Sequence, residues 1–264
     1  MNFDIAQACH AAGTELQDRV EIVERDDSVV VIVADGAGGQ SGAAEAATLV
    51  VKLARQQAKE LTSADECVKA LRAADAAIAR SAHGGETTGL ILVATPTGSF
   101  GASVGDSAAW WFATNRKEEL TASQRRKPFL GSGAATPTGF THLFATGTII
   151  LATDGLWKYT SLEKICTQAI RGTTEEVVGN LLSFVRLPSG ALPDDFGIVV
   201  CRNLPKPVRT AVYLTDPAEM RRARSNQPRQ TWEQALRQQE VLREAADQFS
   251  AEAEARMRND PRSK

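Results

Sequence analysis

Residues 26–42 read DDSVVVIVADGAGGQSG, and this stretch decides the fold. Residues 28–34 form a short apolar run, with Asp26 and Asp27 before it and Asp35 and Gly36 after it. A run of this length, rich in β-branched residues and apolar on both faces, is typical of a strand buried inside a protein. It is far too short to cross a bilayer. The sequence therefore predicts a buried strand that carries a carboxylate at its end.

The elements on either side of this strand fall into separate helical and extended blocks. Helical spacing predicts helices over residues 42–61 and 63–81, the second with Ser63 as N-cap and Glu66 three residues later, which is a capping-box pattern. Strands are predicted at 90–95, 99–104, 108–114, 148–153 and 196–201, with helices at 161–171 and 174–185. Segregated blocks of this kind indicate an α+β fold with two sheets and helices outside.

Composition and charge exclude several classes of protein. The chain has 264 residues, with 30 basic and 32 acidic side chains, so its net charge of -2 gives no global electrostatic reason to bind nucleic acid. The four cysteines are scattered without a C-x-x-C pair, which leaves a cysteine–histidine zinc site without support. The N-terminal residues lack a signal-peptide pattern. We expect a cytoplasmic protein with free thiols that binds neither nucleic acid nor membrane.

Composition changes near Asn203. We predict a folded domain over residues 1–203 and a proline-containing linker with a C-terminal helical extension over residues 204–264. From Trp232 to Met257, apolar residues recur at three-to-four spacing, so a helix there would carry an apolar stripe that needs a partner. The stripe could pack on its own domain, self-associate or bind another protein.

Aspartates follow strands repeatedly. Asp35, Asp106 and Asp154 each end an apolar strand, and Asp194 precedes the last strand. Each alone is explained by a turn, since aspartate favours turns. If strand ends on one rim bring them together, their mutual repulsion requires cations, and oxygen ligands suit Mg²⁺ or Mn²⁺. Two such ions would hold a phosphoryl oxygen and lower the pKa of a bridging water, which attacks phosphorus without a side-chain nucleophile.

The surroundings of these aspartates carry a family resemblance. The matching segments, in order, are VADGAGGQSG (33–42), ETTGLILVA (86–94), GDSAAWWF (105–112), ATDGLWKYTS (152–161) and DDFGIVVC (194–201). With them the chain resembles the PPM-type, or type 2C, metal-dependent serine/threonine protein phosphatases, and in particular bacterial members. The resemblance implies a central antiparallel β-sandwich flanked by pairs of α-helices. It also implies hydrolysis of phosphoserine and phosphothreonine in signalling, in opposition to a cognate kinase.

The resemblance further assigns metal ligands, for two or three Mn²⁺ or Mg²⁺ ions. It implies that Asp35 bridges two metal ions and that the Gly36 carbonyl ligates one of them. Asp154 and Asp194 hold the other ion, and Asp106 serves a weaker third one. Neither the metal used nor the number of ions follows from the residues themselves.

Two further acidic residues receive lesser roles from the resemblance. Asp18 stands where the family has a Glu-Asp pair, and it is expected to order a metal-bound water rather than to ligate directly; Gln17 replaces the glutamate of that pair. Of the pair Asp194-Asp195, the first residue is the expected ligand. Asp195 is the expected turn residue or supporting residue.

The chain departs from the family in its phosphate-binding residue. Gly13 occupies the position at which the family has an arginine that pairs with the substrate phosphate. Arg19, Arg25 and His10 are the alternatives that could supply the missing charge. Ala37 replaces a histidine found in eukaryotic members. The residues Arg125, Arg126 and Lys127, in a segment that the family uses as a flap, form either a basic lip for substrates or a solvated loop.

These departures leave other functions open. One is a phosphatase-like module with weak or no activity that binds a phosphoprotein. Another is the hydrolysis of a small phosphorylated metabolite. Retention of all four strand-end aspartates favours an active phosphatase, because buried carboxylates are costly to keep without a use.

Overall fold

Two five-stranded antiparallel sheets make up the centre of the fold. The computed structural model describes residues 3–37, 41–82, 84–143 and 146–203, so the predicted extension over residues 204–264 lies outside the described residues. One sheet has the strand order β1-β10-β9-β6-β7 and the other β2-β3-β4-β5-β8. The strands are β1 (Phe3–His10), β2 (Arg19–Glu24), β3 (Val29–Ala34), β4 (Gly89–Thr95), β5 (Gly98–Val104), β6 (Ala108–Ala113), β7 (Arg116–Glu119), β8 (Thr138–His142), β9 (Thr148–Ala152) and β10 (Phe196–Asn203).

Strand β3 is buried on both faces, as its composition predicts. Its residues alternate between two cores: Val29, Val31 and Val33 pack between the sheets, whereas Val30 and Ile32 face the helices on the outside. All of them are fully buried. This alternation follows from the two-residue period of a strand, and it explains why β3 has no polar residue.

Helices cover the outer face of each sheet. Helices α1 (Ala43–Gln56) and α2 (Ala64–Ala79) share a core with β3, β4 and β5. The short α3 (Asp154–Trp157), α4 (Leu162–Ala169) and α5 (Thr174–Val185) share another core with β6, β9 and β10. The order of layers is helix, sheet, sheet, helix. The predicted α+β sandwich flanked by paired helices is confirmed.

The ends of the helices agree with the sequence in part. The Ser63 hydroxyl accepts a hydrogen bond from the backbone N–H of Glu66 at 3.3 Å, so Ser63 is the N-cap of α2. The Glu66 side chain binds Lys69 on its own helix at 2.7 Å. A complete capping box occurs instead at α5, between Thr173 and Glu176. Its sequence, Thr-Thr-Glu-Glu, contains the signal for it.

The cysteines are free thiols in buried or half-buried positions, and no disulfide links them. Burial raises the pKa of Cys9, Cys67 and Cys201 to about 12, so these thiols stay protonated at neutral pH. Among the described residues, no helix has the length and apolarity that a membrane span requires.

Candidate metal centre

The ends of three strands bring three aspartates together. Asp35 follows β3, Asp106 lies in the turn between β5 and β6, and Asp154 follows β9 at the start of α3. One carboxylate oxygen from each of the three lies within 4.8 Å of the other two. The strands next to these aspartates belong to both sheets of the sandwich. The cluster therefore forms only because the two sheets pack together at this rim.

A cavity of about 290 Å³ opens beside this cluster. It brings together the sequence-predicted residues Asp18, Asp35, Gly36, Asp154 and Asp194. Its remaining lining residues are Glu15, Gln17, Lys158 and Asp195. The cavity therefore combines six carboxylates with a single ammonium group.

Crowding and burial make these carboxylates difficult to ionise. Burial, followed by the charges of neighbouring aspartates, raises the pKa of Asp35 to about 9. Burial likewise raises the pKa of Asp18 to about 7, against a smaller opposing effect of a hydrogen bond from Thr153. The pKa values of Asp106 and Asp194 are also raised, in both cases mainly by burial and then by Asp154. A site of this kind is stable as carboxylates only with cations present.

A pair of threonines holds the Asp35 backbone in place. The Thr88 hydroxyl accepts a hydrogen bond from the Asp35 N–H at 2.9 Å, and the Thr87 hydroxyl donates one to the Asp35 carbonyl at 2.8 Å. Thr88 also contacts the Ser107 hydroxyl at 2.7 Å. Through Thr88, the turn that carries Asp106 is therefore tied to the end of β3.

Two glycines that follow proposed metal ligands allow other backbone segments to approach closely beside the cavity. A Cβ atom at Gly155 would lie 1.8 Å from the carbonyl oxygen of Asp195, and one at Gly36 would lie 2.8 Å from that of Ala43. The glycine after Asp154 thus lets the Asp194–Asp195 turn approach α3. The glycine after Asp35 lets the start of α1 approach β3.

Asp195 holds the loop between β1 and β2. Its carboxylate accepts hydrogen bonds from the N–H groups of Ala12 at 2.8 Å and of Gln17 at 2.6 Å. Its own N–H donates to the Asp194 carboxylate at 3.0 Å. Asp195 therefore positions the segment before Asp18. These contacts agree with the supporting role expected for it.

Lys158 and Glu15 line this cavity, and neither was predicted from the sequence as a site residue. The Lys158 ammonium group forms an ion pair with the Asp154 carboxylate, four residues earlier. The pKa of Lys158 is raised, mainly by its hydrogen bond to Asp154. The negative charges of Asp154, Asp106 and Asp194 raise it further. The four-residue spacing within ATDGLWKYTS was the available signal, since it places both side chains on one face of a helical turn.

The candidate substitutes for the missing arginine have other partners. Arg25 donates to the carbonyls of Ala58 and Leu61, both at 2.9 Å. Arg19 donates to Thr48 and to the carbonyls of Leu16 and Asp18. Neither Arg19, Arg25 nor His10 is among the residues that line the acidic cavity. At Gly13, a Cβ atom would meet nothing within 4 Å.

The segment between β7 and β8 is anchored to α2. Asp75, which is buried, accepts hydrogen bonds from the N–H groups of Gly131, Gly133 and Ala135 at 2.7, 2.9 and 3.1 Å. No sequence pattern indicates this anchor, because the residues that it joins are more than 50 positions apart. In the same segment, the Arg126 guanidinium lies 5.7 Å from the centre of the Trp157 ring.

Three tryptophans and His142 pack within the fold. Trp110 and Trp111 are buried in β6, and the Trp157 indole donates to the Asp106 carbonyl at 3.1 Å. His142 lies in β8, buried against Trp111 and next to Glu118.

The donors at this rim fit a hard divalent cation. All the clustered side-chain donors are carboxylate oxygens, which is the chemistry that Mg²⁺ and Mn²⁺ prefer. In addition, the buried Oδ2 atom of Asp18 has no hydrogen-bond partner among the described residues. A cation or a water molecule held by one would satisfy this atom.

An α-β-β-α sandwich with a carboxylate cluster at one rim defines the class of metal-dependent protein phosphatases. The profile of the family described as Protein phosphatase 2C matches residues 6–169. This chain belongs to that family.

Solved structures with the same fold are distant in sequence. A bacterial serine phosphatase is 15% identical, with a TM-score of 0.67, and the match covers 75% of this chain and 97% of that one. The Mycobacterium tuberculosis serine/threonine phosphatase PstP/Ppp is 18% identical, with a TM-score of 0.65 and coverage of 77% and 99%. RsbX in complex with magnesium is 16% identical, with a TM-score of 0.61 and coverage of 76% and 94%. No curated protein sequence matches this chain significantly.

Proposed function

We propose that this protein hydrolyses phosphoserine and phosphothreonine in proteins, with Mn²⁺ or Mg²⁺ bound at the aspartate cluster. The observation that carries the proposal is the convergence of Asp35, Asp106 and Asp154, whose carboxylate oxygens lie within 4.8 Å of one another beside an acidic cavity. Family membership supports the same reaction. The PstP catalytic domain with two manganese ions and RsbX with magnesium support the choice of metals.

Each acidic residue has a separate part in this proposal. Asp35 and the Gly36 carbonyl would hold metal at the end of β3, and Asp154 with Asp194 would hold a second ion. Asp106 would serve a weaker third ion. When bound, the ions neutralise phosphoryl charge and lower the pKa of a water molecule. Two or three ions are compatible with this set of carboxylates.

Asp18 has an orienting role in the proposed reaction. Asp18 lines the cavity, and its buried Oδ2 atom lacks a hydrogen-bond partner among the described residues, so its carboxylate can accept a hydrogen bond from the attacking water. Its carboxyl group also has a pKa near neutrality in the metal-free chain. Binding of cations beside it favours the ionised form, which is the form that accepts hydrogen bonds.

The cellular role follows from the reaction. A phosphoprotein phosphatase opposes a serine/threonine kinase, and we propose this signalling role in the cytoplasm of a bacterium. The resemblance to bacterial members supports it, and so do the bacterial serine and serine/threonine phosphatases that share the fold. The phosphorylated protein substrate is the partner that the proposal requires.

The test compares wild type with Asp35→Asn on p-nitrophenyl phosphate and on a phosphothreonine peptide, with and without Mn²⁺. We expect Mn²⁺-dependent turnover that Asp35→Asn abolishes, because the bridging carboxylate is lost. Asp27→Asn, which changes an exposed turn residue, is the matched control and should leave turnover intact. A folded wild-type protein without turnover under any divalent ion would overturn the proposal in favour of a phosphoprotein-binding module. Turnover restricted to p-nitrophenyl phosphate would instead indicate a small phosphoester as substrate.

A further inference from the structure

We propose that Lys158 binds the phosphoryl group of the substrate and so replaces the arginine that Gly13 does not provide. This inference rests on the proposed function and names the residue by which the same site recognises phosphate. Lys158 is the only cationic side chain among the residues that line the acidic cavity in the described part of the chain. A phosphate dianion that enters among six carboxylates needs a positive partner in addition to the metal ions.

Lys158 is held at its backbone, and its side chain is partly exposed. Its N–H donates to the Asp154 carbonyl at 3.0 Å at the end of the short helix α3. Its side chain is 44% exposed, whereas that of Asp154 is 13% exposed. The ammonium group therefore contacts a largely buried carboxylate of the cavity, while part of the Lys158 side chain remains exposed to solvent.

The chemistry of the ammonium group allows both contacts at once. A lysine side chain has three N–H donors and no acceptor. One donor is engaged with the Asp154 carboxylate, which leaves two for phosphate oxygens. Asp154 thus holds Lys158 beside the other carboxylates that line the cavity.

Other cations near the site are held elsewhere. Arg19 and Arg25 bind backbone carbonyls and lie outside the cavity lining. Arg126 lies against Trp157 and lines a different cavity, to which Asp106 also contributes. Among these cations, Lys158 alone combines exposure with a direct contact to a proposed metal ligand.

The test replaces Lys158 with methionine, which keeps the length of the side chain and removes its charge. Lys164→Met is the matched control, because the Lys164 ammonium lies over the Phe184 ring, 5.6 Å from its centre, on α4. Calorimetry measures binding of Mg²⁺ and, with Mg²⁺ present, binding of inorganic phosphate. Kinetic assays with Mg²⁺ give KM and kcat for a phosphothreonine peptide.

We expect Lys158→Met to weaken phosphate binding at least about tenfold and to raise KM by at least about tenfold. Changes of this size correspond to the loss of one charge-assisted hydrogen bond. We expect Lys158→Arg to recover part of both and Lys164→Met to match wild type. Unchanged phosphate binding in Lys158→Met would overturn the inference. So would a gain in Mg²⁺ affinity without any loss of phosphate binding, because Lys158 would then be only a counter-ion of Asp154.

Calorimetry separates this inference from the proposed function. If wild type has no turnover but binds inorganic phosphate through Lys158, the phosphatase proposal fails and the phosphate-binding residue stands. If wild type turns over the peptide and Lys158→Met retains its KM and its phosphate affinity, the inference fails alone.

Discussion

The hydroxyl oxygens of Thr88 and Ser107 lie 2.7 Å apart in the buried interior, and Thr88 also accepts the N–H of Asp35. This contact joins the segment after β3 to the turn that carries Asp106. The relative position of two proposed metal ligands therefore depends on a neutral hydrogen-bond pair behind them.

Replacement of Thr88 with valine tests this support. Valine has the same shape but no hydroxyl group, so the Asp35 N–H and the Ser107 hydroxyl lose a buried partner. We expect a loss of about 1–3 kcal/mol in the free energy of unfolding, measured by urea denaturation, together with weaker Mg²⁺ binding. The exposed Thr62→Val should change neither quantity. Equal stability of Thr88→Val and wild type would show that the contact contributes nothing.

The metal-free protein should lose stability as pH rises. The pKa of Asp35 is raised to about 9 and that of Asp18 to about 7, from 3.8, so the folded chain binds more protons than the unfolded chain over this range. The stability that these groups contribute is complete below their unfolded pKa and is lost as pH rises through their folded values.

Urea denaturation in EDTA between about pH 5 and 9 measures this loss. The free energy of unfolding should fall more steeply for wild type and Asp27→Asn than for Asp35→Asn, which has no carboxyl group at position 35. Saturating Mg²⁺ should flatten the wild-type curve. A curve in EDTA that rises with pH in this range, with the same slope in Asp35→Asn, would contradict the assignment.

Two glycine-to-alanine substitutions should have opposite effects. At Gly155 the new methyl group meets the Asp195 carbonyl at 1.8 Å, so the turn that carries Asp194 must move. We expect a loss of about 1–3 kcal/mol or more in the free energy of unfolding, together with impaired metal binding. Gly179 is an exposed position in α5 with nothing within 4 Å, and alanine there should stabilise by about 0.5–1 kcal/mol. Thermal denaturation separates the two, and a neutral Gly155→Ala would show that the approach of the turn is adjustable.

Asp75 should be among the most sensitive residues outside the metal centre. Alanine at this position leaves three N–H donors of residues 131–135 without their acceptor, and the donor of Ala135 is buried. We expect a loss of about 3 kcal/mol by urea denaturation and faster proteolysis in this segment. The exposed Asp27→Ala serves as control. Proteolysis at an unchanged rate would show that other contacts hold the segment.

Arginine at position 13 should restore the family's phosphate contact. A side chain at Gly13 has open space, and the loop around it is held by Asp195 beside the acidic cavity. We expect Gly13→Arg to lower KM for a phosphothreonine peptide by about tenfold, with Gly13→Ala as control. It should also compensate in part for Lys158→Met. A KM equal to that of Gly13→Ala would show that the loop does not direct this side chain to the substrate.

Local patterns predicted most of the fold. Residues 28–34 are apolar on both faces, so the burial of β3 could be predicted without knowledge of its neighbours. Strands β1, β2, β7 and β8 were not delimited. Most residues of β1 and β2 are only half-buried, β7 is exposed throughout, and β8 alternates without a strong apolar face, so their periodicity is weak.

The sequence by itself predicted which residues would carry the chemistry, because an aspartate at the end of an apolar strand is a local feature and its neighbours match a family in order. Only the tertiary structure decided how these residues are supported and neutralised. Thr88 with Ser107, Asp75 with residues 131–135, and Asp195 with the β1–β2 loop join parts of the chain that are 19 to 183 positions apart. No local pattern encodes such contacts, because they form only when two sheets close against each other. Lys158 lies between these cases: its spacing from Asp154 is local, but its place among six carboxylates depends on the whole sandwich.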